Sequence, residues 1–232
     1  MTFFNRRPEV RDVIVDYFIK NNLQSICSTA CSYGAEIYDF IFKLVEKGAY
    51  KPELKILGCD IRLDIIQSLN MRRYEYRNID IASRNWSASS VGYPYPIMPQ
   101  NMEYLYKPYF NENKTLKDEF VKIPKFFVHD INNEFTEKYD IVMAFAVLTH
   151  LCNNSKRPFY GKKDRQHIFN ILKNLINATN KILIISCPKT FKIDGVAFPS
   201  MIKKFVDEFL FENNLQYSIM NDKFYFIYPN GI

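Results

Sequence analysis

Glycine is scarce in this chain, with 7 in 232 residues, and the segment that most resembles a nucleotide-binding turn contains one. That segment, Ile26 to Phe40, reads ICSTACSYGAEIYDF, with Gly34 as its glycine. A dinucleotide pyrophosphate requires a G-x-G-x-x-G loop, whose glycines let backbone amides approach the phosphates. The missing glycines therefore argue against an NAD-binding enzyme.

Other features are also missing. No uncharged apolar run of about 18 residues occurs and the first residues lack the order of a secretion signal, so we expect a soluble, cytoplasmic protein without a membrane partner. The 5 cysteines are odd in number and scattered, which favours buried reduced thiols over disulfides. Cys27 and Cys31 are not spaced as a C-x-x-C pair, and no Cys/His cluster follows, so we expect no metal site.

The net charge of +6 is far below the basic surface of a dedicated nucleic-acid binder. The basic loop Lys156 to Arg165 would suit an anionic acceptor, or it is a solvated surface. With 47% apolar and 16% aromatic residues, the chain can bury a substantial core. We expect a single domain over residues 1–232.

Two segments together predict a nucleoside-binding βαβ unit. Ile26 to Phe40 reads as a strand, a tight turn and a helix opening at Glu36, and Leu54 to Ile61 (LKILGCDI) reads as a strand ending on Asp60. An acid after the second strand of a parallel α/β sheet can accept hydrogen bonds from both ribose hydroxyls. S-adenosylmethionine (SAM) has an adenosine without a phosphate, so the pattern predicts a SAM site. The plainer alternatives are a turn residue at Asp60 and a solvated first-turn acid at Glu36.

Periodicity predicts the remaining elements, which alternate along most of the chain. The predicted helices are Val10 to Asn21, Ala35 to Lys47, Leu63 to Met71, Arg165 to Thr179 and Ser200 to Glu212. The predicted strands are Leu23 to Ser28, the strand before Asp60, Phe126 to His129, Tyr139 to Phe145, Lys181 to Ser186, Gln216 to Met220 and Phe224 to Tyr228. This order fits an α/β, Rossmann-like class I methyltransferase, with a seven-stranded, mostly parallel sheet and a C-terminal antiparallel hairpin.

An aromatic-rich insertion at about 78–125 interrupts the alternation. It interleaves prolines with tyrosines, and a disordered linker would be poor in aromatics. It is either a structural insertion or the wall of a substrate pocket, since long ordered loops in compact domains are usually functional.

Four segments resemble the chemotaxis-receptor glutamate methyltransferases of the CheR type. They are TFFNRRPEV, STACSYGAEIYDF, GCDIRLDII and YDIVMAFAVLTHL, in the order of that family, and the resemblance spans roughly Thr2 to Leu175. It implies SAM as cofactor and S-adenosylhomocysteine (SAH) as product.

The resemblance also implies roles for single residues. Arg6 would reach the methionine carboxylate, Glu36 the ammonium group and Asp60 the ribose. Asp130 and Ile131 would border the adenine edge. The other implied cofactor-binding positions are Ala30, Cys31, Ser32, Gly34, Ile61, Phe145 and Ala146.

The chain also departs from the family. Asn5 shifts the first motif by one residue, which makes Arg7 a rival of Arg6. Phe145 and Ala146 replace the R-N pair of the fourth motif, and His150 replaces its tyrosine. We find no counterpart of the helical N-terminal domain or of the receptor-docking hairpin. We therefore expect an acceptor other than a chemoreceptor.

His150 suggests the kind of acceptor. A glutamate acceptor is already ionised near neutral pH, whereas a hydroxyl requires a base, and histidine titrates in the right range. We predict O-methylation of a small-molecule or carbohydrate-like acceptor with His150 as base, the plainer alternative being a structural histidine. The competing functions are methyl-esterification of a protein carboxylate and a non-catalytic nucleic-acid or regulatory binding module.

Overall fold

The computed structural model describes residues 7–71, 74–79, 97–145, 147–148, 162–187, 190–193, 196–199 and 201–231. The helices are α1 (Pro8–Lys20), α2 (Ala35–Glu46), α3 (Leu63–Asn70), α4 (Glu103–Tyr106), α5 (Asp118–Val121), α6 (Lys162–Asn177) and α7 (Met201–Glu212). The strands are β1 (Ser25–Thr29), β2 (Lys55–Asp60), β3 (Arg77–Ile79), β4 (Ile97–Pro99), β5 (Lys125–Val128), β6 (Tyr139–Ala144), β7 (Thr179–Ser186), β8 (Thr190–Ile193), β9 (Val196–Pro199), β10 (Gln216–Met220) and β11 (Phe224–Tyr228).

Seven strands form one mixed sheet in the order β10-β11-β7-β6-β1-β2-β5. Parallel pairs join β1 with β6, β6 with β7 and β2 with β5, while β11 runs antiparallel to both β7 and β10. This is the Rossmann-like class I methyltransferase sheet that the sequence predicts, including its C-terminal hairpin. Two small pairs, β3 with β4 and β8 with β9, were not predicted.

Contacts divide the chain into two compact units. The first contains the described residues within 1–25 and 31–128, and the second contains those within 26–30 and 129–232. The expectation of a single domain over 1–232 stays a prediction.

The first unit is organised around α2 and the β2–β5 pair. The apolar face of α2 is buried, and it includes Ile37, Phe40, Ile41 and Leu44. In the β2–β5 register Asp60 lies opposite Val128, so the carboxyl ends of both strands lie side by side. This brings the predicted ribose ligand to the edge where parallel sheets bind their ligands.

The described part of the aromatic insertion packs against the side of α2. The Tyr109 ring stacks on Phe42 with centroids 4.1 Å apart, and its hydroxyl donates to the Phe42 carbonyl at 3.1 Å. The Tyr106 hydroxyl donates to the buried Asp39 carboxylate at 2.6 Å. These contacts support a structural role for the two rings, and residues 80–96 of the insertion lie outside the described residues.

The second unit contains β1, β6, β7 and the β10–β11 hairpin, with α6 and α7. We predicted that α6 would run from Arg165 to Thr179, but it begins at Lys162 and ends at Asn177. It ends early because Thr179 already belongs to β7, where it pairs with Tyr139.

The basic loop is corrected in part. Arg165, which ends the basic loop and begins the predicted helix, lies on α6, and its guanidinium forms ion pairs with Glu208, at 2.9 Å, and with Glu212. Arg165 is therefore engaged by two carboxylates instead of facing an anionic acceptor. Residues 156–161 lie outside the described residues.

The described cysteines are free and buried, as predicted; they are Cys27, Cys31, Cys59 and Cys187. Cys152 lies outside the described residues. Among the helices that the structure describes, none has the length and apolar character needed to cross a membrane.

Candidate functional site

The turn between β1 and α2 has an unusual backbone. Ala30, Ser32 and Gly34 have φ angles of +49°, +48° and +70°, so every second residue is left-handed. For Ala and Ser this conformation is strained, since it brings the Cβ close to the backbone. Gly34 is required for a second reason, because a Cβ there would lie 3.0 Å from Cζ of Phe126. The tight turn predicted from the sequence therefore forms with one glycine.

Asp60 holds this turn in place. Its carboxylate is 8% exposed, and it accepts a hydrogen bond from the Ser32 amide at Oδ2 and one from the Arg62 amide at Oδ1, both at 3.0 Å. The preceding residue adds a third tie, because the Cys59 carbonyl accepts a hydrogen bond from the Cys31 amide at 2.9 Å. Each carboxylate oxygen has two lone pairs, so Asp60 can still accept hydrogen bonds from a ligand.

Two acidic side chains act on the turn. Glu36 is half-buried in the first turn of α2. Burial, followed by the neighbouring Cys59, Asp60 and Glu36, holds the pKa of the Cys31 thiol well above its usual range. The thiol is therefore neutral, and the carboxylates of Asp60 and Glu36 lie near enough to raise its pKa. Two carboxylates beside one turn suit a ligand that has both hydroxyl and cationic groups.

Apolar side chains lie beside Asp60 and are unusually exposed. Ile61 is 61% exposed and Val128, which lies opposite Asp60 in the β2–β5 register, is 47% exposed. Exposed aliphatic side chains next to a buried carboxylate can contact an apolar ring. Ile61 was predicted and Val128 was missed. Its position as the last residue of β5 was the signal for it, since parallel strands bind their ligands at their carboxyl ends.

Tyr33 and Arg62 are two further residues that the sequence analysis missed. Tyr33 is half-buried in the turn, and burial, together with Asp64 and Asp60, raises the pKa of its phenol while Arg62 lowers it. The Arg62 side chain pairs with Asp64, and its backbone amide binds Asp60. No sequence signal marks Arg62, since the bond involves its backbone.

Asp130 and Ile131 lie in the second unit. Oδ1 of Asp130 accepts hydrogen bonds from the backbone and side-chain nitrogens of Asn132, at 2.9 and 2.8 Å. The Ile131 side chain is buried, so a ligand beside this loop would contact the backbone of Ile131 and not its side chain. The buried Asn174 amide on α6 donates to the carbonyls of Ile131 and Asn132, at 3.1 and 2.9 Å. Asn174, which was not predicted, thus fixes the shape of this loop.

The remaining predicted positions divide into two groups. Phe145 is half-buried in the second unit, with its ring 5.8 Å from that of Phe224. Arg7, the rival of Arg6, is half-buried at the start of α1. Arg6, Ala146 and His150 lie outside the described residues. Their roles stay predictions.

Several of the solved structures to which this chain is similar are methyltransferases. The methyltransferase domain of bacterial CtHen1-C is 10% identical, covers 95% of this chain and 96% of its own length, and gives a TM-score of 0.51. Magnesium protoporphyrin IX methyltransferase from Synechocystis PCC 6803, with bound SAM, is 13% identical over 95% of this chain and 78% of its own (TM-score 0.45). Human N-acetylserotonin methyltransferase in complex with SAM is 9% identical over 97% and 52% (TM-score 0.47).

The fold of this chain is therefore that of the class I SAM-dependent methyltransferases. No protein-family model matches the chain, and no curated protein matches its sequence. The resemblance to the CheR type accordingly rests on the four sequence segments alone.

Proposed function

We propose that this protein is a SAM-dependent methyltransferase that acts on a small-molecule acceptor. The observation that carries the proposal is the buried carboxylate of Asp60. Asp60 is the last residue of β2, has both oxygens fixed by the amides of Ser32 and Arg62, and retains lone pairs for the two ribose hydroxyls. A pre-oriented acceptor at the carboxyl end of a parallel strand is the arrangement that nucleoside binding requires.

The turn favours SAM over a dinucleotide. A pyrophosphate would need free backbone amides in the turn. Here the Ser32 amide donates to Asp60, and the Gly34 amide donates to the Cys31 carbonyl at 2.9 Å. Two amides that a phosphate would use are thus engaged within the protein. SAM makes no such demand.

Three other residues would complete the cofactor site within the first unit. Glu36 would attract the α-ammonium group of SAM, because the charges are opposite. The exposed aliphatic side chains of Ile61 and Val128 would contact the adenine ring, since they lose water-exposed surface on binding. Asp130 and Ile131, which lie in the second unit, stay our predicted adenine-edge residues. Arg6 or Arg7 stays the predicted contact of the SAM carboxylate.

SAM supplies a methyl group activated by its sulfonium charge. The protein's part is to hold the cofactor, to align the acceptor and to exclude water. For a hydroxyl acceptor it must also remove a proton, and we propose His150 for this step. We infer that the methylated atom is oxygen, because a hydroxyl is neutral near pH 7 and has a proton for His150 to remove. A carboxylate acceptor, as in the CheR type, would need no histidine.

The first experiment is titration calorimetry of the purified protein with SAH, followed by the same titration with NADH. We expect micromolar binding of SAH and no binding of NADH. Hydroxyl-bearing, carbohydrate-like and carboxylate acceptors are then tested for methyl transfer from labelled SAM. Binding of NADH alone, or of neither ligand, would refute the proposal.

A further inference from the structure

We propose that Tyr74 is a positioning residue, whose hydroxyl holds the β1–α2 turn in the conformation that binds the cofactor. Its hydroxyl donates to the Tyr33 carbonyl at 2.6 Å, across 41 residues of sequence. Tyr33 lies between the left-handed residues Ser32 and Gly34. This inference rests on the proposed function for its ligand, but the hydrogen bond itself belongs to the free protein.

The turn needs an external tie, because its backbone is strained. Ser32 is a non-glycine residue with a φ of +48°. The Asp60 carboxylate fixes the Ser32 amide and the Cys59 carbonyl fixes the Cys31 amide, and both ties come from β2. Tyr74 lies outside β2 and fixes the carbonyl of the peptide group between Tyr33 and Gly34. The three bonds together hold three of the four peptide groups between Ala30 and Gly34, from two directions.

Tyr74 is itself rigidly placed. Its side chain is 5% exposed, and its ring packs on that of Tyr38 with centroids 4.3 Å apart. Burial raises the pKa of its phenol well above its usual range, so the hydroxyl stays a donor. On its backbone side, the Tyr74 carbonyl accepts a hydrogen bond from the Leu116 amide at 2.7 Å.

The bond to Leu116 gives the aromatic insertion a role in the cofactor site. Glu75 forms a β-bridge with Thr115, so residues 74–76 lie beside residues 114–116 of the insertion. The insertion fixes the backbone of Tyr74, and the side chain of Tyr74 fixes the turn. The insertion therefore acts on the turn through Tyr74, while its rings pack on α2.

The test compares Tyr74→Phe with Tyr109→Phe. Both changes remove one phenolic oxygen that donates to a backbone carbonyl in the first unit, but the acceptor of Tyr109 is Phe42 on α2. We expect Tyr74→Phe to weaken SAH binding by about tenfold, because the Tyr33 carbonyl loses its partner and the turn loosens. We expect Tyr109→Phe to change SAH binding by less than about twofold.

Two further measurements separate positioning from general stability. In the protein without ligand, amide hydrogen exchange of residues 31–34 should be faster in Tyr74→Phe than in Tyr109→Phe at equal global stability. Glycine at position 32 relieves the strain of the positive φ. In Ser32→Gly protein, the addition of Tyr74→Phe should therefore weaken SAH binding much less than it does in wild-type protein. If Tyr74→Phe folds poorly, the comparison of the double variant with Ser32→Gly still tests the proposal.

The outcomes are distinct. If wild-type protein binds no SAH, the proposed function fails, and hydrogen exchange still tests the tie. If wild-type protein binds SAH but both phenylalanine variants bind equally and exchange at equal rates, Tyr74 is an ordinary core residue and the inference is wrong.

Discussion

Replacing Asp60 by alanine tests the cofactor assignment most directly. Hydrogen bonds to a charged group contribute about 1.5–3 kcal/mol each, and Asp60 would accept one from each ribose hydroxyl. Two bonds at the lower value amount to about 3 kcal/mol, and 1.4 kcal/mol is a factor of ten. Asp60→Ala should therefore weaken SAH binding by about 100-fold or more.

The same substitution should also cost stability. The amides of Ser32 and Arg62 lose their acceptor, and an unsatisfied buried donor costs about 1–3 kcal/mol. Water can enter the space that the carboxylate leaves, so we expect a total loss of about 2 kcal/mol. Urea unfolding measures this loss. Calorimetry must then be done well below the melting temperature of the variant, so that affinity reports on folded protein.

Asp64→Ala is the matched control. Asp64 is a carboxylate four residues further on, exposed, and paired with Arg62 at the surface. We expect this variant to bind SAH within about twofold of wild type. If folded Asp60→Ala binds SAH within about fivefold of wild type, Asp60 is not the ribose ligand and the reasoning fails.

Four further substitutions test single residues. Ile61→Ala should weaken SAH binding by about tenfold, because the variant loses the apolar area that Ile61 would bury against adenine. Its melting temperature should not change, because Ile61 is largely exposed. An affinity equal to that of wild type by calorimetry would contradict this. Gly34→Ala should destabilise the fold by about 1–2 kcal/mol in urea unfolding, because φ is +70° and Phe126 lies 3.0 Å from the new Cβ. His150→Ala should lower turnover on a hydroxyl acceptor with unchanged SAH affinity, and unchanged turnover would leave the histidine structural. Burial lowers the pKa of His129 in the folded state below its ordinary value of 6.5, so the unfolded chain binds the proton more readily. The stability of the fold should therefore fall as pH drops below about 6.5. A His129→Gln variant should show less of this loss in thermal unfolding.

The sequence predicted those parts of the fold in which the signal is local. The β10–β11 hairpin has its predicted bounds, because two short strands flank Asn221 and Asp222. Both residues have the positive φ that a tight hairpin turn requires, at +51° and +55°. The position of Asp60 at the end of β2 was predicted for a similar reason, since this carboxylate directly follows a run of apolar residues.

The contacts that hold the site together were not predictable in this way. Tyr74 reaches Tyr33 across 41 residues, and Asn174 reaches Ile131 across 43. Neither residue belongs to a motif, and each forms its bond with a backbone carbonyl, which any residue has. Arg165 misled for the opposite reason, because a local cluster of positive charge suggested an anionic acceptor, whereas its carboxylate partners Glu208 and Glu212 lie 43 and 47 residues further along the chain, on α7.

The strained turn also explains why the glycine signature is missing from a chain with this fold. Holding Ala30 and Ser32 at positive φ costs about 1–2 kcal/mol each. The turn donates hydrogen bonds to Asp60 and Cys59 and accepts one from Tyr74. The bond to the Asp60 carboxylate contributes about 1.5–3 kcal/mol and the other two about 0.5–1.5 kcal/mol each, which is enough to offset that strain. A pyrophosphate-binding loop cannot be held in this way, because its amides must stay free for the phosphates. Only Gly34 is needed here, where Phe126 leaves no room for a Cβ. The turn therefore keeps its shape without the glycines on which sequence motifs depend, and it does so by using amides that a dinucleotide would require.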